Sequence, residues 1–206
     1  QFTQKFKGLG LQTAAFISSQ AKETFGPWPV AAGLPTIEIH RNLPIDLQAR
    51  HLIASELIDD LIIGNAFATK SELECLGSLE LDKTMLGIIL EPNITEAETS
   101  IIFDYSHFGR PDHSDYFIRS SIPKLKFKTT NLRPRTNKQP CFKRGDVVVV
   151  NDNLAHYRGE LEVILQEIEN DGQRNLVGHI PTAEGIILDE MELHPDHSFG
   201  FLLKTE

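Results

Sequence analysis

Nine basic residues and no acidic one fall between positions 119 and 144: Arg119, Lys124, Lys126, Lys128, Arg133, Arg135, Lys138, Lys143 and Arg144. The 206-residue chain as a whole is acidic, with 20 Lys and Arg against 29 Asp and Glu and a net charge of −9. A cationic window in an acidic body attracts a phosphate or a carboxylate, and arginine grips either through paired N–H bonds. Within the window Lys124-Leu125-Lys126-Phe127-Lys128 alternates, which predicts a strand with its lysines on one face. Lysines on an edge strand also discourage strand addition, so the same pattern fits a solvated edge. Nucleic acid is a poor partner, because the net charge is negative and the window offers only Phe127 and Phe142 for base stacking.

Other chemistries lack their residues. His194 and His197 are separated by Pro195 and Asp196, the proline opposes a helical two-ligand face, and no third ligand is near. Asp112-His113-Ser114-Asp115 brings acids beside a histidine without a nucleophile motif. No glycine-rich nucleotide fingerprint occurs, so neither a metal nor an organic cofactor is expected. Cys75 and Cys141 lie far apart with no CxxC spacing, which fits a reducing compartment and a cytoplasmic location. Apolar runs such as Leu61-Ile62-Ile63 and Leu86 to Leu90 are too short to span a bilayer, so no membrane association is expected. With 40% hydrophobic and 24% charged residues the chain is globular rather than disordered.

The elements that must position any site change character along the chain. The opening Phe2 to Gly10 reads as the end of an amphipathic helix closed by glycines, so the chain is expected to begin within an element, as a fragment. Strands are predicted at 11–17, 61–64 and 85–90. A Gly/Pro-rich loop from Gly26 to Pro35 and a helix from Pro44 to Leu57 lie between the first two. A helix opened by the capping box Thr69-Lys70-Ser71-Glu72 and running to Leu79 lies between the last two. Strands alternating with helices imply parallel pairing. After a linker-like stretch at 104–116, strands are predicted at 117–119, 147–150, 175–180 and 199–203, with no clear helix between them. Residues 160–168 fit either period, and the following Asn170-Asp171-Gly172 is a hairpin signal that favours a strand.

Four segments together resemble one family. They are Gly33-Leu34-Pro35-Thr36-Ile37-Glu38-Ile39-His40-Arg41, Ile62-Ile63-Gly64-Asn65-Ala66, Lys143-Arg144-Gly145-Asp146-Val147 and Asn151-Asp152 with Tyr157-Arg158-Gly159-Glu160-Leu161. In this order they are similar to the 6-phospho-N-acetylmuramidases, glycoside hydrolases with a (β/α)8 TIM barrel and a C-terminal cyclophilin-like β-barrel. The resemblance implies an α/β plus all-β chain, with residues 1–104 forming the last three strands of the barrel and 105–206 the cyclophilin-like domain. It departs at Leu154-Ala155-His156, where many members carry an aromatic, a glycine and a glutamine.

Functional residues of such barrels lie at the carboxyl ends of strands. Glu38, His40 and Arg41 would follow strand six, Asn65 would end strand seven and Glu91 strand eight. Glycoside hydrolysis ordinarily uses two carboxyl groups, and Glu38 is the catalytic candidate because it lies in the family-like motif. An acid at a helix start paired with Arg41 is the structural alternative. His40, Arg41, Asn65, Arg119, Asn151, Asp152 and Tyr157 are the substrate-binding candidates. Asn65 and Asp152 are equally suited to shaping turns, and Arg119 to an ion pair. The resemblance thus implies cleavage of N-acetylmuramic acid 6-phosphate–N-acetylglucosamine, a phosphorylated amino-sugar disaccharide, during peptidoglycan recycling, by a parent of which this chain alone is inactive. A non-catalytic module binding a sugar phosphate or carboxylate through the same basic segment is the alternative.

Overall fold

The computed structural model describes residues 2–26, 34–112, 114–135, 139–194 and 196–205. Most of the Gly/Pro-rich loop, including Gly33 of the family-like segment, therefore lies outside the described residues, as do Gln1, His113, Lys138 and Pro195. The chain divides into two compact units, Gln1–Leu81 and Asp82–Glu206.

The first unit runs α1 (Phe2–Gly8), β1 (Ala14–Ile17), a 3-10 turn (Glu38–Asn42), α2 (Ile45–Ala54), β2 (Asp60–Ile63) and α3 (Lys70–Gly77). β1 and β2 pair in parallel, Ala14 opposite Asp60 through Ile17 opposite Ile63. Strand alternation sends Ala15 and Ile17 into a core with Ile45, Ala49 and Leu52 of α2, while Phe16 and Ile62 stay half-exposed. α2 stops short of the expected Leu57 because Glu56 takes a left-handed conformation, φ 53°. The capping box of α3 forms as its sequence spells: Thr69 Oγ1 accepts from Glu72 N, and Glu72 Oε2 accepts from Thr69 N at 2.7 Å.

The second unit contains β3 (Thr84–Leu90), α4 (Glu96–Phe103), β4 (His107–Phe108), β5 (Phe117–Ser120), α5 (Lys124–Phe127), β6 (Cys141–Phe142), β7 (Asp146–Val150), β8 (Leu161–Ile164), β9 (Ile168–Glu169), β10 (Arg174–His179), α6 (Gly185–Leu193) and β11 (Ser198–Leu203). Seven strands form one sheet in the order β4-β11-β3-β10-β7-β8-β5, parallel only at β11–β3. It is nearly closed like a barrel, since His107 Nδ1 of β4 and Ser120 Oγ of β5, at the two ends of that order, hydrogen-bond at 3.0 Å. The short β6–β9 pair brings Phe142 and Ile168 against Val148 and Ile164.

Four expectations are corrected. The predicted third parallel strand, β3, does not join β1 and β2; it lies between β11 and β10. Residues 124–127 are a helical turn rather than a strand, because Pro123 opens a turn whose carbonyl accepts from Lys126 and Phe127 N–H. Beyond the linker-like stretch the chain also holds a full helix, α6, between β10 and β11. Asn170-Asp171-Gly172 forms its turn, with Gly172 N donating to Asn170 Oδ1, but it joins strands that do not pair with each other: β9 pairs with β6, and β10 with β7 and β3.

Candidate functional site

In the first unit the sequence-predicted residues gather around the stretch that leaves β1. Ser18 and Ser19 continue past its carboxyl end, and side-chain amides hold both. Gln48 of α2 accepts from Ser18 N at 2.8 Å and donates to Ser18 O at 2.9 Å. Asn65, just beyond β2, accepts from Ser19 N at 2.8 Å and donates to Ser19 O at 3.0 Å. Each amide thus imitates one residue of a neighbouring strand, and the Asn65 amide is committed to backbone. Glu72 adds a second duty to its capping role, accepting from Ser19 Oγ at 2.8 Å and Gln20 N at 3.0 Å. Gln20 in turn donates to the Arg41 carbonyl at 3.2 Å, which ties the segment to the 3-10 turn.

That turn presents Glu38 to solvent, its side chain 76% exposed. Arg41 holds both carboxylate oxygens, Nε to Oε1 at 2.5 Å and Nη2 to Oε2 at 2.7 Å. The hydrogen-bonded guanidinium keeps the Glu38 carboxyl below its ordinary range, so it is ionised at neutral pH. His40 points the other way, fully buried, with Nε2 2.7 Å from His51 Nδ1. Glu91 is not with them: it follows β3 and donates its N–H to the Val177 carbonyl within the second unit, which removes it from the end of a barrel strand beside β2.

In the second unit four of the nine cations of the basic window are held in ion pairs. Arg119 meets Asp112, Lys124 meets Glu160, Arg135 meets Glu98, and Arg144 meets Asp189 and Glu192. Arg119, on β5, lines a cavity of about 280 Å³ with Arg110, Asp112 and Phe117. Asn151 is buried after β7, where its amide donates to Gly172 O and Asn175 Oδ1 while its own oxygen caps the next turn at Asn153 N. Asp152 accepts from Leu132 N at 3.1 Å and faces Arg158 Nε at 2.7 Å. Tyr157 offers its ring to Lys124, whose Nζ lies 4.5 Å from the ring centre. Arg119 and the Asn151–Tyr157 loop thus belong to separate local networks. The family-like turns owe their glycines to backbone shape, since Gly145 and Gly159 adopt φ of 89° and 81°.

Sequence reasoning missed Ser18, Ser19, Gln48 and Glu72, of which only Glu72 announced itself, as a capping residue. Among the described residues no group of three or more His, Cys, Asp or Glu could hold a metal ion, and no helix is long and apolar enough to cross a membrane.

A parallel strand pair with polar residues at its carboxyl ends, followed by a nearly closed β-sheet unit, defines a mixed α/β protein of two parts. Residues 1–78 match the N-terminal and residues 84–202 the C-terminal model of the family described as 6-phospho-N-acetylmuramidase. The chain belongs to that family. The crystal structure of an uncharacterized B. cereus protein is 38% identical with a TM-score of 0.90, over 97% of this chain and 56% of that one. A conserved protein of unknown function from Enterococcus faecalis shares the fold at 21% identity and a TM-score of 0.64, over 98% of this chain and 52% of that one. The chain therefore spans little more than half of each solved relative. No curated protein matches.

Proposed function

We propose that the protein to which this chain belongs is a glycoside hydrolase that cleaves N-acetylmuramic acid 6-phosphate–N-acetylglucosamine during cytoplasmic cell-wall recycling. The observation that carries the reading is family membership over both units, joined to an exposed carboxylate held ionised at the site end of β1. In this reading the first unit is part of a (β/α)8 barrel and the second is cyclophilin-like. A two-stranded parallel sheet with both edges open cannot enclose a sugar, so the activity is assigned to a polypeptide of the length of the B. cereus relative.

Glu38, ionised, suits a nucleophile or base rather than a proton donor, and the donor is assigned to a carboxyl group beyond these residues. Arg41 steadies the carboxylate. Arg119, Asp152 and Tyr157, which keep partly exposed polar or aromatic surface, are the substrate contacts in the second unit. The buried His40, Asn65 and Asn151 support the loops from beneath.

The test is release of N-acetylglucosamine from the disaccharide. A chain of the relative's length turns over, Glu38→Gln in it lowers kcat by about 10²–10⁴ with KM nearly unchanged, and the 206-residue chain alone releases nothing. Undiminished turnover with Glu38→Gln, or hydrolysis by the short chain, overturns the assignment.

A further inference from the structure

Arg110 and Arg119 share one carboxylate. Asp112 Oδ1 accepts from Arg110 Nε at 2.6 Å, and its Oδ2 accepts from Arg119 Nη2 at 2.8 Å. Each guanidinium thus gives a single N–H to Asp112, and neither forms the two-bond fork that arginine makes with a dedicated carboxylate partner. Asp112 comes from the stretch between β4 and β5, which carries no helix or strand among its described residues, and its side chain is 54% exposed. An exposed ion pair of this kind holds weakly, because water and side-chain freedom compete with it.

All three side chains line the cavity of about 280 Å³, together with Ser114 and the apolar Phe117 and Leu165. That volume suits one small group better than a whole disaccharide. The remaining charges are nearly accounted for. Glu192, also in the lining, is paired with Arg144 at 2.8 Å. Glu162, which faces Arg119 from β8, is paired with Arg174 at 2.6 Å. Asp115 lines the cavity with no ion pair among the described residues. Withdrawal of Asp112 would leave two guanidiniums facing Asp115 in the cavity, with Glu160 and Glu162 nearby but already paired with Lys124 and Arg174.

We infer that this cavity binds an anionic oxygen group, a phosphate monoester or a carboxylate, between Arg110 and Arg119 in the place that the Asp112 carboxylate holds. Asp112 is a built-in competitor, and the ligand displaces it into water, where a carboxylate is well solvated. A phosphate monoester carries three oxygens and up to two charges against the two oxygens and single charge of Asp112, so it wins both guanidiniums when present. The inference deepens the glycosidase reading, on which it rests for the role of Arg119, because the proposed substrate bears both a phosphate and a lactyl carboxylate. It adds Arg110 as the second arm and Asp112 as the element that sets affinity.

Calorimetric titration of the 206-residue chain with inorganic phosphate, and separately with D-lactate, at fixed ionic strength tests this. Asp112→Asn tightens binding by about tenfold, because it removes both the competing carboxylate and the negative charge that opposes the ligand. Asp115→Asn makes the same charge change in the same cavity without a bridge to lose, and shifts affinity less than threefold. Adding Arg119→Gln to Asp112→Asn abolishes the gain. Circular dichroism and melting confirm that each variant folds. The inference is overturned if Asp112→Asn brings no gain, if Asp115→Asn gains equally, or if neither anion binds the wild-type or Asp112→Asn chain. Tighter phosphate assigns the arms to the phosphoryl group, and tighter lactate assigns them to the lactyl carboxylate. Failure here alongside Glu38-dependent hydrolysis by the longer chain would leave the glycosidase reading standing. The tenfold gain without any hydrolysis would do the reverse.

Discussion

His107 is wholly buried, yet both ring nitrogens are used. Nε2 lies 3.1 Å from the Ile102 carbonyl, which can only accept, so that nitrogen carries the proton and Nδ1 accepts from Ser120 Oγ. Phe199 stacks on the ring at 5.1 Å. His40, equally buried, meets His51 through Nε2, and its Nδ1 has no partner among the described residues. Burial pushes the pKa of each down to about 4, reinforced at His40 by the charge of His51 and resisted at His107 by the Ile102 carbonyl. An unfolded imidazole protonates near 6.5, so between pH 6.5 and 4 the unfolded chain binds more protons than the native one. Stability therefore falls as pH falls through that window and levels off below it, by on the order of 3 kcal/mol per imidazole. Buried Glu162 and half-buried Asp146, raised by desolvation, act in the opposite direction, so the readout is a difference between chains. In urea titrations from pH 6.5 to 4, His40→Gln loses stability less steeply than the parent. Equal slopes would mean that His40 is already charged in the native state.

Two helices open with the same box, and they differ in what the acid does next. Glu72 of α3 caps at the surface and braces Ser19 and Gln20. Glu98 of α4 caps Thr95 while almost fully buried, and also takes Arg135 Nη1 at 2.5 Å and Asn175 Nδ2 at 2.9 Å. Loss of Glu98 takes the charged partner from the partly buried Arg135 and from the buried Asn175 amide, so Glu98→Ala costs about 3 kcal/mol. Glu72→Ala, which forfeits a cap and a loop brace nearer to water, costs about 1–2 kcal/mol. Urea midpoints compare them directly, and similar losses would show that the Glu98 network contributes nothing beyond its cap.

These helices also mark how far the sequence could be read. Thr69-Lys70-Ser71-Glu72 is legible because helix periodicity follows it. Thr95-Glu96-Ala97-Glu98 spells the same signal but leads only to the apolar run Ile101-Ile102-Phe103, too short to establish a helical period. Short-range chemistry was readable: caps, turns, and strands such as Val147–Val150. Pairings were not, because whether β3 lies beside β2 or β11 is decided by contacts more than a hundred residues apart. The candidate site divides in the same way. Glu38 with Arg41 is a local i,i+3 pair visible in the sequence, whereas Asn65 with Ser19 and Asp152 with Leu132 join distant segments.

At the scale of the molecule the two units differ in what protects their backbones. β7 lies between β10 and β8 in the seven-stranded sheet, and Val147, Val148, Val149 and Val150 are all fully buried. Opening their hydrogen bonds requires disruption of strands on both sides and exposure of the main core. Among the described residues β1 and β2 pair only with each other, with half-exposed Phe16 and Ile62 on one face. Two strands on a small core are marginal by themselves. Hydrogen exchange on the 206-residue chain should therefore find the amides of β7 and β8 slowest and those of β1 and β2 faster by orders of magnitude. Comparable protection in β1 and β7 would show that the first unit is stable by itself and that its exposed face needs no cover. If that face is instead a cut section of a larger parallel sheet, a chain of the B. cereus relative's length slows exchange in β1 and β2 alone. Protection in β7 and β8 stays where it was, because that sheet already supplies its own neighbours.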